Sequence, residues 1–389
     1  MKYNFNRVIE RQSTYAIKYN TTGRGKPKDV LPLWVADMDF QSPPCVLDAL
    51  RDLTEHGVFG YSDTNRDYFE TLYAWFHNRF GWKTEQDWLV NTPGVVTAIY
   101  IAIRALTSPG DAVIIQQPVY YPFAEAVTKT GRKLVVNRLE NDGGYYLVDL
   151  HDFERKIIEN RVKLFILCSP HNPMGRVWTR EELMQMGEIC LRNGVVVVAD
   201  EIHQDFVYPG NKHIVFAGLD DSFRDIALTC TAPSKTFNLA GLQNSNIFIA
   251  SESLRSRFEE EYTRSGLSQV NLMGIASCQA AYAAGGDWLE ELLTYLDGNM
   301  ALIQQSISKC QPVKFTKPEG TYLAWLDFQE LGMNAVELDN FITNKARLWL
   351  NSGYVFGAGG DGFMRLNAAC PRPVIAEGLS RLKSALDSL

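Results

Sequence analysis

The chain has 389 residues, 46% of them hydrophobic, enough for two domains and a substantial core. A net charge of −7 with scattered lysines and arginines argues against nucleic acid or an anionic membrane surface as a partner. The opening residues, Met1 to Arg7, lack an apolar signal-peptide core, and no stretch is long enough to span a bilayer. The seven cysteines (Cys45, Cys168, Cys190, Cys230, Cys278, Cys310 and Cys370) are odd in number, widely spaced and free of any C-x-x-C pair. They read as reduced core residues of a cytoplasmic protein.

In chain order, Asp87 to Thr92 is expected to be a strand, followed by the turn Pro93-Gly94 and a long apolar helix from Val95. Such a turn offers free backbone N–H groups to an anion, but it is also an ordinary strand-to-helix connection. The apolar run Lys163 to Cys168 ends abruptly in Ser169-Pro170-His171-Asn172-Pro173-Met174-Gly175, a buried parallel strand running into a loop. Thr179-Arg180-Glu181-Glu182 is a capping box that opens an amphipathic helix with Leu183, Met186 and Cys190 on its core face. Val195 to Val198 are β-branched and apolar on both faces, a central strand that ends at Asp200. A second strong helix starts near Asp287, with Trp288, Leu292, Leu296 and Ile303 along it.

Lys235 has unusual company. It lies in Thr231-Ala232-Pro233-Ser234-Lys235-Thr236-Phe237, among small and weakly polar residues with no flanking charge. A lysine in a partly desolvated pocket loses affinity for its proton and becomes a nucleophile. Ligand crevices of open α/β sheets lie beyond the carboxyl ends of the strands, so Asn172, Asp200 and Lys235 are expected around one crevice. The gaps are 28 residues from Asn172 to Asp200 and 35 on to Lys235. This set fits pyridoxal phosphate, which needs a lysine amine for its aldehyde, an acid for its pyridine nitrogen and a donor for its phenolic oxygen. The six histidines lack metal-ligand spacing, and no metal is expected. His171 and His203 are expected to hydrogen-bond around the cofactor pocket.

Eight ordered motifs then carry a resemblance over essentially the whole chain. They are Trp34-Val35-Ala36-Asp37-Met38-Asp39-Phe40, Gly57-Val58-Phe59-Gly60-Tyr61, Thr92-Pro93-Gly94-Val95-Val96, Gln117-Pro118-Val119-Tyr120-Tyr121-Pro122-Phe123, Ser169 to Pro173, Asp200-Glu201-Ile202-His203, Ala232 to Phe237 and Phe363 to Arg372. The chain resembles the fold-type I aminotransferase superfamily, in its MalY/PatB-like cystathionine β-lyase branch. The resemblance implies an α/β fold with a mostly parallel central sheet sandwiched by helices. It also implies a large cofactor domain over residues 45–286 and a smaller α/β domain from 1–44 plus 287–389.

The same resemblance distributes roles. Gly94, Val95 and Val96 would cradle the cofactor phosphate through backbone amides, with Ser234 as a hydroxyl donor. Tyr120 would stack on the pyridine ring. Tyr121 would meet the substrate, or else simply pack. Tyr61 would reach the phosphate of the partner subunit, implying a homodimer with composite sites. Many superfamily members carry an arginine after the lysine where this chain has Gln243, so the phosphate must depend more on helix dipole and hydroxyls.

Arg365 follows the glycine-rich stretch from Gly353 to Gly362. Its planar guanidinium suits an α-carboxylate, the family's assignment, and a structural ion pair is the competing reading. No nucleotide-binding motif accompanies those glycines. The expected activity is a carbon–sulfur β-lyase acting on L-cystathionine and related cysteine S-conjugates, an amino-acid substrate handled by Lys235, Asp200, Tyr120, Asn172, Tyr121 and Arg365. An aminotransferase is the main rival, and a regulatory or binding protein on the same fold is a third reading.

Overall fold

The computed structural model describes residues 2–389. Its central sheet has seven strands in the order Leu89–Thr92, Ser245–Phe248, Ala227–Thr231, Val196–Asp200, Leu164–Cys168, Ala112–Gln117 and Lys133–Arg138. All run the same way except Ser245–Phe248, which is antiparallel to both its neighbours. Helices cover both faces, so the strands bury side chains in both directions. Leu164, Ile166 and Cys168 join one apolar cluster with the helices Val95–Leu106 and Glu252–Arg264. Phe165 and Leu167 face the other, with Leu183 and Met186 of Arg180–Arg192. Each fully buried aliphatic side chain is worth about 1.5–3 kcal/mol, which is why these strands read as unbroken apolar runs.

The expected elements form, with small shifts at their ends. Gln86–Trp88 is a 3-10 turn rather than strand, because Trp88 N–H bonds back to Glu85, and the strand begins at Leu89. Val195 closes the preceding helix by donating to Cys190, leaving Val196 as the first strand residue. Thr179 caps Arg180–Arg192 through the full reciprocal box with Glu182. The second helix runs Gly286–Ile307.

A second, antiparallel sheet has the order Lys314–Phe315, Leu323–Asp327, Phe363–Asn367, Asn351–Ser352. The N-terminal segment is bound to this part of the molecule, since Leu31–Pro32 pairs in parallel with Leu348–Trp349. It then crosses toward the carboxyl ends of the central strands. After Ala112–Gln117 the chain goes outward to Lys133–Arg138 and returns to Leu164–Cys168 on the other side, which opens a crevice at those carboxyl ends. All seven cysteines are free, and six are buried. Among the described residues no helix is long and apolar enough to cross a membrane.

Candidate active site

Lys235 sits on the single helical turn Pro233–Thr236, directly after Ala227–Thr231. Pro233 suits the first helical position because it has no N–H to leave unbonded. The Lys235 amine donates to the carbonyl of Ala36 at 2.7 Å. Burial, and then the Arg365 guanidinium, push its pKa down to about 8, against the pull of Asp37 and Asp200. An amine so placed is a nucleophile near neutral pH.

Asp200 ends its strand with the side chain buried and one of its oxygens accepting from Ile202 N–H at 3.2 Å. Burial raises its pKa to about 7. A buried carboxyl held by one weak bond is short of a positive partner. Asn172 accepts from Arg365 Nη1 at 2.9 Å, and its backbone carbonyl accepts from Tyr120 N–H at 3.0 Å. One loop thus positions both the aromatic ring and the guanidinium. Burial pushes the Tyr120 phenol far up, so the ring faces the cavity neutral.

Arg365 comes from the strand Phe363–Asn367 of the second sheet. Its Nη2 donates to Trp34 O at 3.0 Å and Asn351 Oδ1 at 2.6 Å, and the guanidinium lies 4.9 Å from the Phe356 ring centre. Its Nε has no partner among the described residues. All of its protein partners are neutral, so it forms no structural ion pair, and burial lowers its pKa to about 10. A buried guanidinium without a counterion is a ready seat for a carboxylate.

The start of helix Val95–Leu106 also lines the cavity. Gly94 precedes it in extended conformation, and no side chain caps the helix. Ala98 is the first amide to bond back, to Gly94 O at 3.0 Å, so those of Val95, Val96 and Thr97 remain available to an anion. Ser234, Gln243 and Asn244 line the cavity as well.

Lys235, Asp200, Asn172, Tyr120, Tyr121, Gly94, Val95, Val96, Ser234 and Arg365 all line one cavity of about 290 Å³. Tyr61 does not: it is 96% exposed, beside Phe59, Ser62 and Val270 in a separate shallow concavity. His171 also departs from expectation. Its loop turns back on itself through His171 N–H to Arg176 O at 2.8 Å, which packs the ring edge-on to Trp178 with both nitrogens unbonded, away from the cavity. His203 does line it, and its Nδ1 has no partner among the described residues.

Sequence reasoning quoted the Trp34 to Phe40 motif but gave it no task. It is a strap across the site. Trp34 O holds Arg365, and Ala36 O holds both Lys235 and the Tyr322 hydroxyl, the latter at 2.9 Å. Asn238, in left-handed conformation (φ 61°), ties the strap down by bonding Met38 N–H, Met38 O and Phe40 O at 2.9–3.0 Å. Asp37 and Asp39 anchor it to Arg11 and to the fully buried Lys18. Asn351 was also missed. Backbone carbonyls and a lone asparagine leave no mark that sequence patterns can flag.

The donor set fits pyridoxal phosphate. The cavity offers a lowered-pKa amine for the aldehyde, a cation-seeking buried carboxyl for the ring nitrogen, a neutral aromatic face and an uncapped helix start for the phosphate. The sequence pattern of the aminotransferase class I and II family matches residues 28–382. Cystathionine β-lyase PatB of Bacillus subtilis (strain 168) is 45% identical, over 98% of this chain and 100% of that protein. Protein MalY of Escherichia coli (strain K12) is 32% identical over 99% of each. Among solved structures, cystalysin from Treponema denticola, which contains pyridoxal 5'-phosphate, superposes with a TM-score of 0.97 at 37% identity, covering 100% of both chains. The pyridoxal-phosphate-bound C–S lyase of Staphylococcus hominis gives 0.93 at 34% identity, over 99% of this chain and 98% of that one. Built on the same fold-type I framework, the chain belongs to the pyridoxal-phosphate-dependent class I and II aminotransferase family.

Proposed function

We propose that this protein is a pyridoxal-phosphate-dependent C–S β-lyase that converts L-cystathionine and related cysteine S-conjugates, with water, to a thiol, pyruvate and ammonia. The observation that carries the reading is one cavity holding the Lys235 amine, the buried Asp200 carboxyl and the counterion-free Arg365. The 45% identity to a cystathionine β-lyase supports the reaction class. Bound pyridoxal phosphate supplies an aldehyde that links to amines and a protonated ring that accepts an electron pair from Cα. Arg365 receives the substrate α-carboxylate on its free edge, preset by Asn172, Asn351 and Trp34. Asp200 keeps the ring nitrogen protonated. The Lys235 amine takes the Cα proton, and Ala36 O holds that nitrogen in place. Loss of the thiolate from Cβ then completes the elimination.

Gly94, Val95, Val96 and Ser234 hold the phosphate, Asn172 the phenolic oxygen, and Tyr120 stacks on the ring while Tyr121 meets the substrate. Tyr61 joins the phosphate site of a second copy in a homodimer, a role supported by its exposure beside Val58 (64%) and Phe59 (60%). The division into residues 45–286 and 1–44 plus 287–389 is supported by the two separate sheets. A reducing, cytoplasmic setting is supported by the free cysteines.

The deciding experiment mixes purified, cofactor-loaded protein with L-cystathionine and no keto acid. Catalytic pyruvate matched by homocysteine is expected, and Lys235→Ala should abolish it while leaving circular dichroism unchanged. No pyruvate, with keto-acid-dependent formation of a new amino acid, would make the protein an aminotransferase.

A further inference from the structure

Trp34 carries on its ring a cation that the reaction itself does not use. Trp34 lines the cavity, and its indole is fixed twice: Nε1–H donates to Lys18 O at 3.1 Å, and the ring stacks on Trp349 at 4.3 Å and 15°. Each indole of this stack carries a cation. Lys26 lies 6.0 Å from the Trp349 ring centre, and Arg24 lies 5.2 Å from that of Trp34. Their situations differ. Lys26 is engaged by Asp339 at 3.2 Å and by the Thr343 hydroxyl at 3.1 Å. Arg24 is exposed and has no acidic partner among the described residues. It stands between Gly23 and Gly25 in a short loop closed by Arg24 N–H and Lys26 N–H to Thr21 O. A guanidinium resting on an aromatic face with its N–H edge open is oriented without being neutralised.

Trp34 links this cation to the α-carboxylate seat. Its carbonyl accepts from Arg365 at 3.0 Å while its ring supports Arg24. Two guanidiniums therefore contact one tryptophan that lines the cavity, the inner one buried at its carbonyl and the outer one exposed over its ring. We infer that Arg24 binds a second carboxylate at the far end of the substrate, so that this site favours S-conjugates whose leaving thiol carries an acid group. The inference rests on the lyase reading for its substrate class, but the binding role of Arg24 is separately measurable.

The test uses the cofactor-loaded enzyme, without keto acid, and two carbon analogues that have no leaving group on Cβ and cannot undergo elimination: L-2-aminopimelate, which ends in a carboxylate, and L-2-aminoheptanoate, which ends in a methyl group. Calorimetric titration of wild type and Arg24→Ala should show aminopimelate binding weakened roughly five-fold, the scale of one partly exposed ion pair. Aminoheptanoate should change less than two-fold. Arg24→Lys should restore part of the loss, and 0.5 M KCl should shrink the wild-type preference. Equal weakening of both ligands, or no change in either, overturns the inference. Pyruvate release from S-(2-carboxyethyl)-L-cysteine is followed in parallel. Its absence would sink the lyase reading while the titration still decides whether Arg24 seats an acid.

Discussion

Replacing Asp200 by Asn should make the cofactor-free protein more stable and the enzyme nearly inactive. Without cofactor, burial raises the Asp200 pKa from 3.8 to about 7. Between those two values the folded chain keeps a proton that the unfolded chain has released, so stability falls as pH rises from about 4 to 7. Above pH 7 the whole penalty is present. At 1.36 kcal/mol per pH unit the gap comes to about 4 kcal/mol. Asparagine keeps the acceptor for Ile202 N–H and carries no charge, so it removes the penalty. Urea unfolding of cofactor-free wild type and Asp200→Asn at pH 5, 6.5 and 8 should give midpoints that separate steadily with pH, the variant being on the order of 2–4 kcal/mol more stable at pH 8. With cofactor the ranking should invert, because the charged carboxylate gains its ring partner, and turnover of the variant should fall by roughly 10²-fold or more. Midpoints that stay parallel from pH 5 to 8 would refute the idea that Asp200 is a buried carboxyl short of a cation.

Two further substitutions probe the remaining geometry. Arg365→Lys gives up the planar fork and at least one charge-assisted bond worth about 1.5–3 kcal/mol, so kcat/KM for an amino-acid substrate should drop roughly 10–100-fold; steady-state kinetics that leave KM unchanged would remove Arg365 from the substrate site. Gly175, at φ 72°, closes the loop that carries Asn172, and a Cβ there would sit 2.3 Å from Pro318 Cβ and 2.7 Å from Gly320 O. Gly175→Ala should therefore cost about 2–4 kcal/mol in stability, read as a lower urea midpoint, with weakened cofactor retention.

The part of the site that was legible in sequence is the part built from side chains at strand ends. Val196–Asp200 is apolar because both its faces are covered, so the first polar residue marks where the strand leaves the core, and that residue is Asp200. The same reasoning pointed to Asn172, and Lys235 stood out by its small, uncharged neighbours. It misplaced His171, because chain proximity to a crevice does not reveal that a loop turns back through Arg176. It found no task for Trp34 to Asp39, whose contributions are mainly carbonyl oxygens, common to every residue. Asn351 was equally silent: in the two-residue strand Asn351–Ser352, both residues polar, there is no periodicity to break. Tyr61 was expected from a second copy, and its exposure in the single chain is consistent with a residue that serves no site of its own chain.

The strap also joins parts of the chain that are far apart in sequence. Residues 34–40 leave the ribosome early, yet their partners Lys235, Asn238, Arg365 and Asn367 are made much later, the last of them more than 300 residues on. The Arg11, Lys18, Asp37 and Asp39 cluster ties the strap to the N-terminal segment, and the rest of its hold comes from those later residues. Arg365 and Asn351 both belong to the second sheet, so a chain shortened before them keeps Lys235 and Asp200 but leaves the cavity without its guanidinium.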